Sequence, residues 1–124
     1  MAEGYARHHY SELMEVSSAG LHPAPIVQPE TIAVMEHQGL SLEGQSPKPI
    51  SAVDWKSTDL VVNMSGMPVL QAMPGFEGLN LMWVVDDPIG KSNRVYNKVR
   101  DRIGGLVDAL AETLRTRQSR AAAL

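Results

Sequence analysis

Asp86-Asp87-Pro88 is the segment of this 124-residue chain whose residue types could carry acid–base chemistry. Two adjacent carboxylates can give or take a proton, although Asp before Pro also suits a plain turn, since Asp bonds backbone N–H groups and Pro fixes φ. Both readings stand at this point. His8-His9 invites a metal, but adjacent helix positions face different directions and no carboxylate partner sits at ligand spacing. Surface histidines are expected, with no metal and no cofactor. Arg115, Arg117 and Arg120 could form a basic patch, or could complement a helix C-terminus and stay solvated. Met64, Met67, Met73 and Met82 are expected to fill core and loop gaps, with Trp55 and Trp83 as core anchors. Cysteine is absent, which excludes disulfides, thiolate metal sites and a thiol nucleophile from these residues. Neither a Gly-rich nucleotide loop nor a nucleophile elbow occurs.

The elements that must position Asp86 and Asp87 follow from periodicity. Met1 to Tyr10 reads as the body of a helix that opens a domain, with nothing before it to hold its N-terminus. Leu13 to Gly20 alternates apolar and polar and stops on Ala-Gly, which predicts a short strand and a turn. His22-Pro23-Ala24-Pro25 is a stiff extended link, and Pro29 starts a helix to about Gln38 with Ile32 and Met35 inward and Gly39 as its stop. Gly39 to Ile50 reads as loop, with Ser51 and Asp54 spaced to begin a short helical turn. Asp59 to Met64 and Leu79 to Val85 are compact apolar runs without strict alternation, the mark of parallel strands buried on both faces. The stretch from Gly66 to Gly78 between them is expected to be irregular.

The strongest periodicity lies at the end. Val95, Val99, Ile103, Leu106, Leu110 and Leu114 recur at helical spacing, with Ser92 placed to cap, and predict a long amphipathic helix. Gly104-Gly105 inside it costs about 1 kcal/mol each in propensity, so that turn either packs closely on something or weakens the helix. Fraying is expected from Arg115. The order α-β-α-β-(short α)-β-α argues for an α/β domain over residues 1–117, with a frayed tail at 118–124 and a mainly parallel sheet flanked by helices on both faces.

Composition sets outer bounds. The chain is 44% hydrophobic and 20% charged, ordinary values for one globular domain. Its formal charge of -3 argues against nucleic acid as a partner, and no apolar run approaches the ~18 residues of a membrane span. No signal peptide is evident, so a cytoplasmic location is expected.

Several segments together resemble the low-molecular-weight protein tyrosine phosphatases and the related thioredoxin-coupled arsenate reductases. Met1 to Arg7 is similar to the helix after that family's phosphate loop, and Ser18-Ala19-Gly20 to a strand end. His37 to Leu42 resembles its second helix exit, and Ala52 to Met64 its third-strand approach. Asp86-Asp87-Pro88, then Gly90 and Tyr96 to Ile103, resemble its Asp-Pro loop and final helix. The resemblance implies a three-layer, flavodoxin-like parallel sheet lacking the first, central strand. It also implies a chemistry in which a Cys-x5-Arg loop attacks phosphorus and an Asp before Pro protonates the leaving oxygen. By motif position Asp87 is that general acid. Neither nucleophile nor loop Arg can be assigned, and Arg7 lies too far along the helix to substitute.

The relay cysteines of the reductases are also missing, with Ser65 and Met73-Pro74 in their region. Gln45 stands where many of the phosphatases have histidine, closer to the reductase branch. Three expectations follow: an active domain whose start lies upstream of Met1, a non-catalytic pseudo-phosphatase, or an association module. A phosphorylated protein or small oxyanion is the implied ligand if a phosphate loop lies upstream. A homodimer or strand-exchanged oligomer is expected because losing about five residues of a central strand strips side chains worth about 1.5–3 kcal/mol each.

Overall fold

The computed structural model describes residues 1–123, with side-chain surroundings as far as Arg120. Its elements are α1 (Ala2–Tyr10), α2 (Pro29–Glu36), β1 (Leu60–Asn63), α3 (Val69–Ala72), β2 (Leu79–Met82) and α4 (Asn93–Ala123). Two 3-10 turns, Ile50–Ala52 and Trp55–Ser57, precede β1. The chain forms two compact units: residues 1–16, 28–44 and 87–124 make the first, and residues 17–27 and 45–86 the second.

In the first unit, α1 carries Glu3 in its first turn and Arg7, His8 and His9 in its last, the order that the helix dipole favours. Glu3 and Arg7 pair at 3.1 Å one turn apart. Helix α2 starts on Pro29, whose fixed φ suits a first turn. It ends where Gly39 takes φ 73°, letting the Leu40 N–H reach back to the Met35 carbonyl at 3.0 Å and the Gly39 N–H to Glu36 at 2.9 Å. Met35 and Leu40 are both fully buried, so the cap also closes the core; enclosing each contributes about 1.5–3 kcal/mol.

Helix α4 supplies the wall against which α1 and α2 pack. Its innermost residues are Tyr96, Val99, Ile103, Val107 and Ala111, spaced by three and four. Val99 and Ile103 lie on this line as predicted. Val95, Leu106, Leu110 and Leu114 are only half-buried, because the line of closest contact runs one position to their C-terminal side. The helix continues beyond Arg115 to Ala123, where fraying was expected, and Leu124 lies outside the described residues.

The second unit holds a two-stranded parallel sheet in register Leu60↔Leu79, Val61↔Asn80, Val62↔Leu81 and Asn63↔Met82. Bonds from the Leu79 N–H to Asp59 and from the Trp83 N–H to Asn63 extend the ladder at each end. Met73 and Phe76 are its buried side chains. Gly78 is obligatory: a Cβ there would sit 2.5 Å from the Phe76 ring and 2.9 Å from the Asp59 carbonyl.

Other expectations need correction. No strand forms over Leu13–Gly20, because its backbone groups bond elsewhere. The Leu13 and Met14 N–H groups close the end of α1 on Tyr10, the Val16 carbonyl accepts from Arg7, and Gly20 makes one isolated parallel bridge with Pro49. Residues 69–72, expected to be irregular, form a single helical turn after Pro68. The strands are not buried on both faces: β1 is half-buried throughout and all four residues of β2 are exposed. Met64, Met67 and Met82 are exposed as well, leaving Met73 as the core-filler of the four. Trp55 and Trp83 are half-buried, not core anchors. Among the described residues, no helix is long and apolar enough to cross a membrane.

Candidate functional site

Asp87 stands exposed in the loop that feeds α4. Its Oδ1 accepts the Ile89 N–H at 3.0 Å, while Oδ2 has no hydrogen-bond partner among the described residues. One oxygen is anchored and the other faces water. Pro88 fixes the loop backbone, its carbonyl accepts the Lys91 N–H at 2.8 Å, and Gly90 at φ 77° turns the chain into α4. The Ser92 carbonyl then receives the Val95 and Tyr96 N–H groups at 3.0 and 3.1 Å, which starts the helix. Loop and helix thus present one carboxylate oxygen at a defined place, as a proton donor or acceptor requires. Asp86 is also exposed and falls at the end of the other unit.

Tyr96 lies fully buried in the first turn of α4. Burial foremost, and then the negative charges of Glu30 and Asp87, push its phenol above the ordinary range, so it stays protonated. Arg7 is occupied elsewhere: its guanidinium donates to the Val16 carbonyl at 2.9 and 3.3 Å and pairs with Glu3. Arg100 is likewise engaged, donating to the Val34 carbonyl at 2.9 Å and to Asp101 at 3.0 Å. Gln45 is half-buried in the second unit. His8 and His9 are exposed with ring centroids 4.7 Å apart, and among the described residues no group of three or more His, Cys, Asp or Glu is placed to hold a metal ion.

A carboxylate missed by sequence reading is Asp108. It accepts the Tyr5 hydroxyl at 2.8 and 3.0 Å and the Tyr10 hydroxyl at 2.5 Å, clamping α1 onto α4. Arg115 lies 5.3 Å over the Tyr10 ring, a cation on an aromatic face rather than part of a basic patch. Asp108 lies 103 residues from Tyr5 and 98 from Tyr10, so no local spacing could have disclosed the clamp. A groove of about 240 Å³ beside the clamp is lined by Tyr5, Leu40, Arg100, Gly105 and Asp108 among others, and Asp87 is not part of it.

The Asp-Pro loop leading into a long α4, with α1 and α2 packed against that helix, is the arrangement of a known class. The chain belongs to the low molecular weight phosphotyrosine protein phosphatase family, whose profile matches residues 1–120. Among its relatives, the glutaredoxin arsenate reductase of Synechocystis sp. (strain ATCC 27184 / PCC 6803 / Kazusa) is 31% identical over 112 residues, covering 89% of this chain and 84% of that one. A solved arsenate reductase in the phosphate binding state superposes with a TM-score of 0.80 at 29% identity, over 91% of this chain and 86% of the other. A protein tyrosine phosphatase structure gives a TM-score of 0.79 at 24% identity, over 92% of this chain and 85% of that one; this likeness speaks for the α/β fold alone.

Proposed function

We propose that the chain is an oxyanion-handling domain in which Asp87 stands as the general acid for the leaving oxygen of a thiolate-driven reaction, and that its 124 residues, which include no cysteine, alone turn over neither phosphate monoesters nor arsenate. The cysteine count carries this reading. The covalent step implied by the family resemblance is attack by a thiolate, and the sequence contains none. Support for the role of Asp87 comes from its anchored Oδ1, its open Oδ2 and its place before Pro88. Assaying the 124-residue protein with an aryl phosphate and with arsenate tests the proposal. Only background rates are expected; turnover above background by these residues alone would overturn the claim that a thiolate must be supplied, and unchanged activity of Asp87→Asn in that case would overturn the role of Asp87.

As substrate class we favour the small tetrahedral oxyanions of the reductase branch over phosphoproteins. The relatives near 30% identity carry arsenate reductase names, whereas the tyrosine phosphatase structure stands at 24%. Binding of phosphate or arsenate, followed by isothermal calorimetry, separates the two: a phosphotyrosine peptide bound more tightly than either inorganic anion counts for the phosphatase branch.

Association is a second reading, favoured by the exposure of β2. Parallel strands ordinarily lie covered on both faces, yet Leu79 is 55% and Leu81 40% exposed, on the face of β2 opposite to Met82. A second copy of this chain, adding a strand beside the pair, is the occupant we propose. Light scattering reads it directly: a dimer or larger species is expected, and a cooperatively melting monomer contradicts it.

A further inference from the structure

Met64, Met67 and Met82 gather around one residue, Asn63. Met64 is its chain neighbour, Met82 its parallel register partner on β2, and the Asn63 side-chain amide donates to the Met67 carbonyl at 2.5 Å. Ser65 tightens the same turn, its N–H and hydroxyl both donating to the Asn63 Oδ1, at 2.9 and 2.6 Å, with Gly66 at φ 80° reversing the chain. The three thioether side chains are 39%, 41% and 58% exposed, at the carboxyl end of the sheet. Met35 and Met73, by contrast, are enclosed at 0% and 8%.

We propose that Met64, Met67 and Met82 form an oxidant-responsive modification site, converted by peroxide-class oxidants to sulfoxides while the core methionines stay reduced. Each sulfur attacks one peroxide oxygen; the O–O bond breaks, an S–O bond forms and water leaves, so sulfur loses the two electrons that peroxide gains. Two observations favour the site. With no cysteine in the sequence, no thiol competes for the oxidant, and the thioethers are its main sulfur targets. The cluster also adjoins the exposed Leu81, the chain neighbour of Met82, so oxidation replaces flexible apolar groups by strong polar acceptors at the end of an apolar strand.

Peptide mass mapping of the intact protein during a hydrogen peroxide time course tests the site. Sulfoxide is expected at residues 64, 67 and 82 at least about tenfold faster than at Met35 and Met73, following exposure. Met35 keeping pace, or the three remaining reduced, would overturn the proposal. A parallel experiment uses a hydrophobic fluorescent dye: peroxide is expected to lower dye binding to the wild type and to leave the M64L/M67L/M82L variant unchanged. An equal loss in that variant also overturns it.

Discussion

Gly104 and Gly105 are neighbours in α4 with opposite reasons to be glycine. A Cβ on Gly104 would meet the Tyr5 ring at 3.1 and 3.3 Å, and that ring is tethered by its hydroxyl to Asp108. A Cβ on Gly105 meets nothing within 4 Å. Gly104→Ala is therefore expected to lower stability by about 1 kcal/mol or more, because displacing a tethered ring outweighs the helix-propensity gain. Gly105→Ala should raise stability by about 0.4–1 kcal/mol, with both changes read from urea unfolding. Equal effects at the two positions would refute the distinction. Sequence reading recognised the cost of the pair and left its cause open, since the cause is a ring about a hundred residues away. The Asp87–Pro88 turn, by contrast, was legible from the two residue types, because the bond from the Ile89 N–H to Asp87 is local.

At the scale of elements, the hold of α1 on α4 should respond to pH. The Tyr5 phenol is pushed up from 10.0 to about 12, by burial first and then by its hydrogen bond to the Asp108 carboxylate. Between those values the unfolded chain releases the proton and the folded one keeps it, so this contribution is full below pH 10 and is lost as pH rises toward about 12. Urea midpoints measured on either side of pH 10 should show the fall, and Tyr5→Phe should reduce it, the remainder coming from Tyr10, whose phenol is also raised by its hydrogen bond to Asp108. Ile103, innermost on α4, gives a control for packing: Ile103→Ala should cost about 2–5 kcal/mol at every pH. Helices α1, α2 and α4 were legible because apolar period, Pro29 and Gly39 agree. Leu13–Gly20 was misread because alternation alone cannot say that the Val16 carbonyl is taken by Arg7. The Tyr96–Val107–Ala111 side of α4 was missed because a phenol and an alanine weigh little in an apolar pattern, although both are buried.

For the whole molecule, fold and chemistry separate. The α/β family fold extends over nearly the whole chain, including a loop that anchors one oxygen of Asp87, while the sequence contains no cysteine. Fold and family were legible in the order of weak motifs. The exposure of β2 was not, because an apolar run predicts burial without saying what supplies the cover. The most direct measurement is turnover of arsenate and of an aryl phosphate by the purified 124-residue chain, beside Asp87→Asn. Identical background rates for both proteins, with both cooperatively folded, are predicted. Turnover above background that disappears in Asp87→Asn would contradict the account, since it would require a nucleophile other than cysteine.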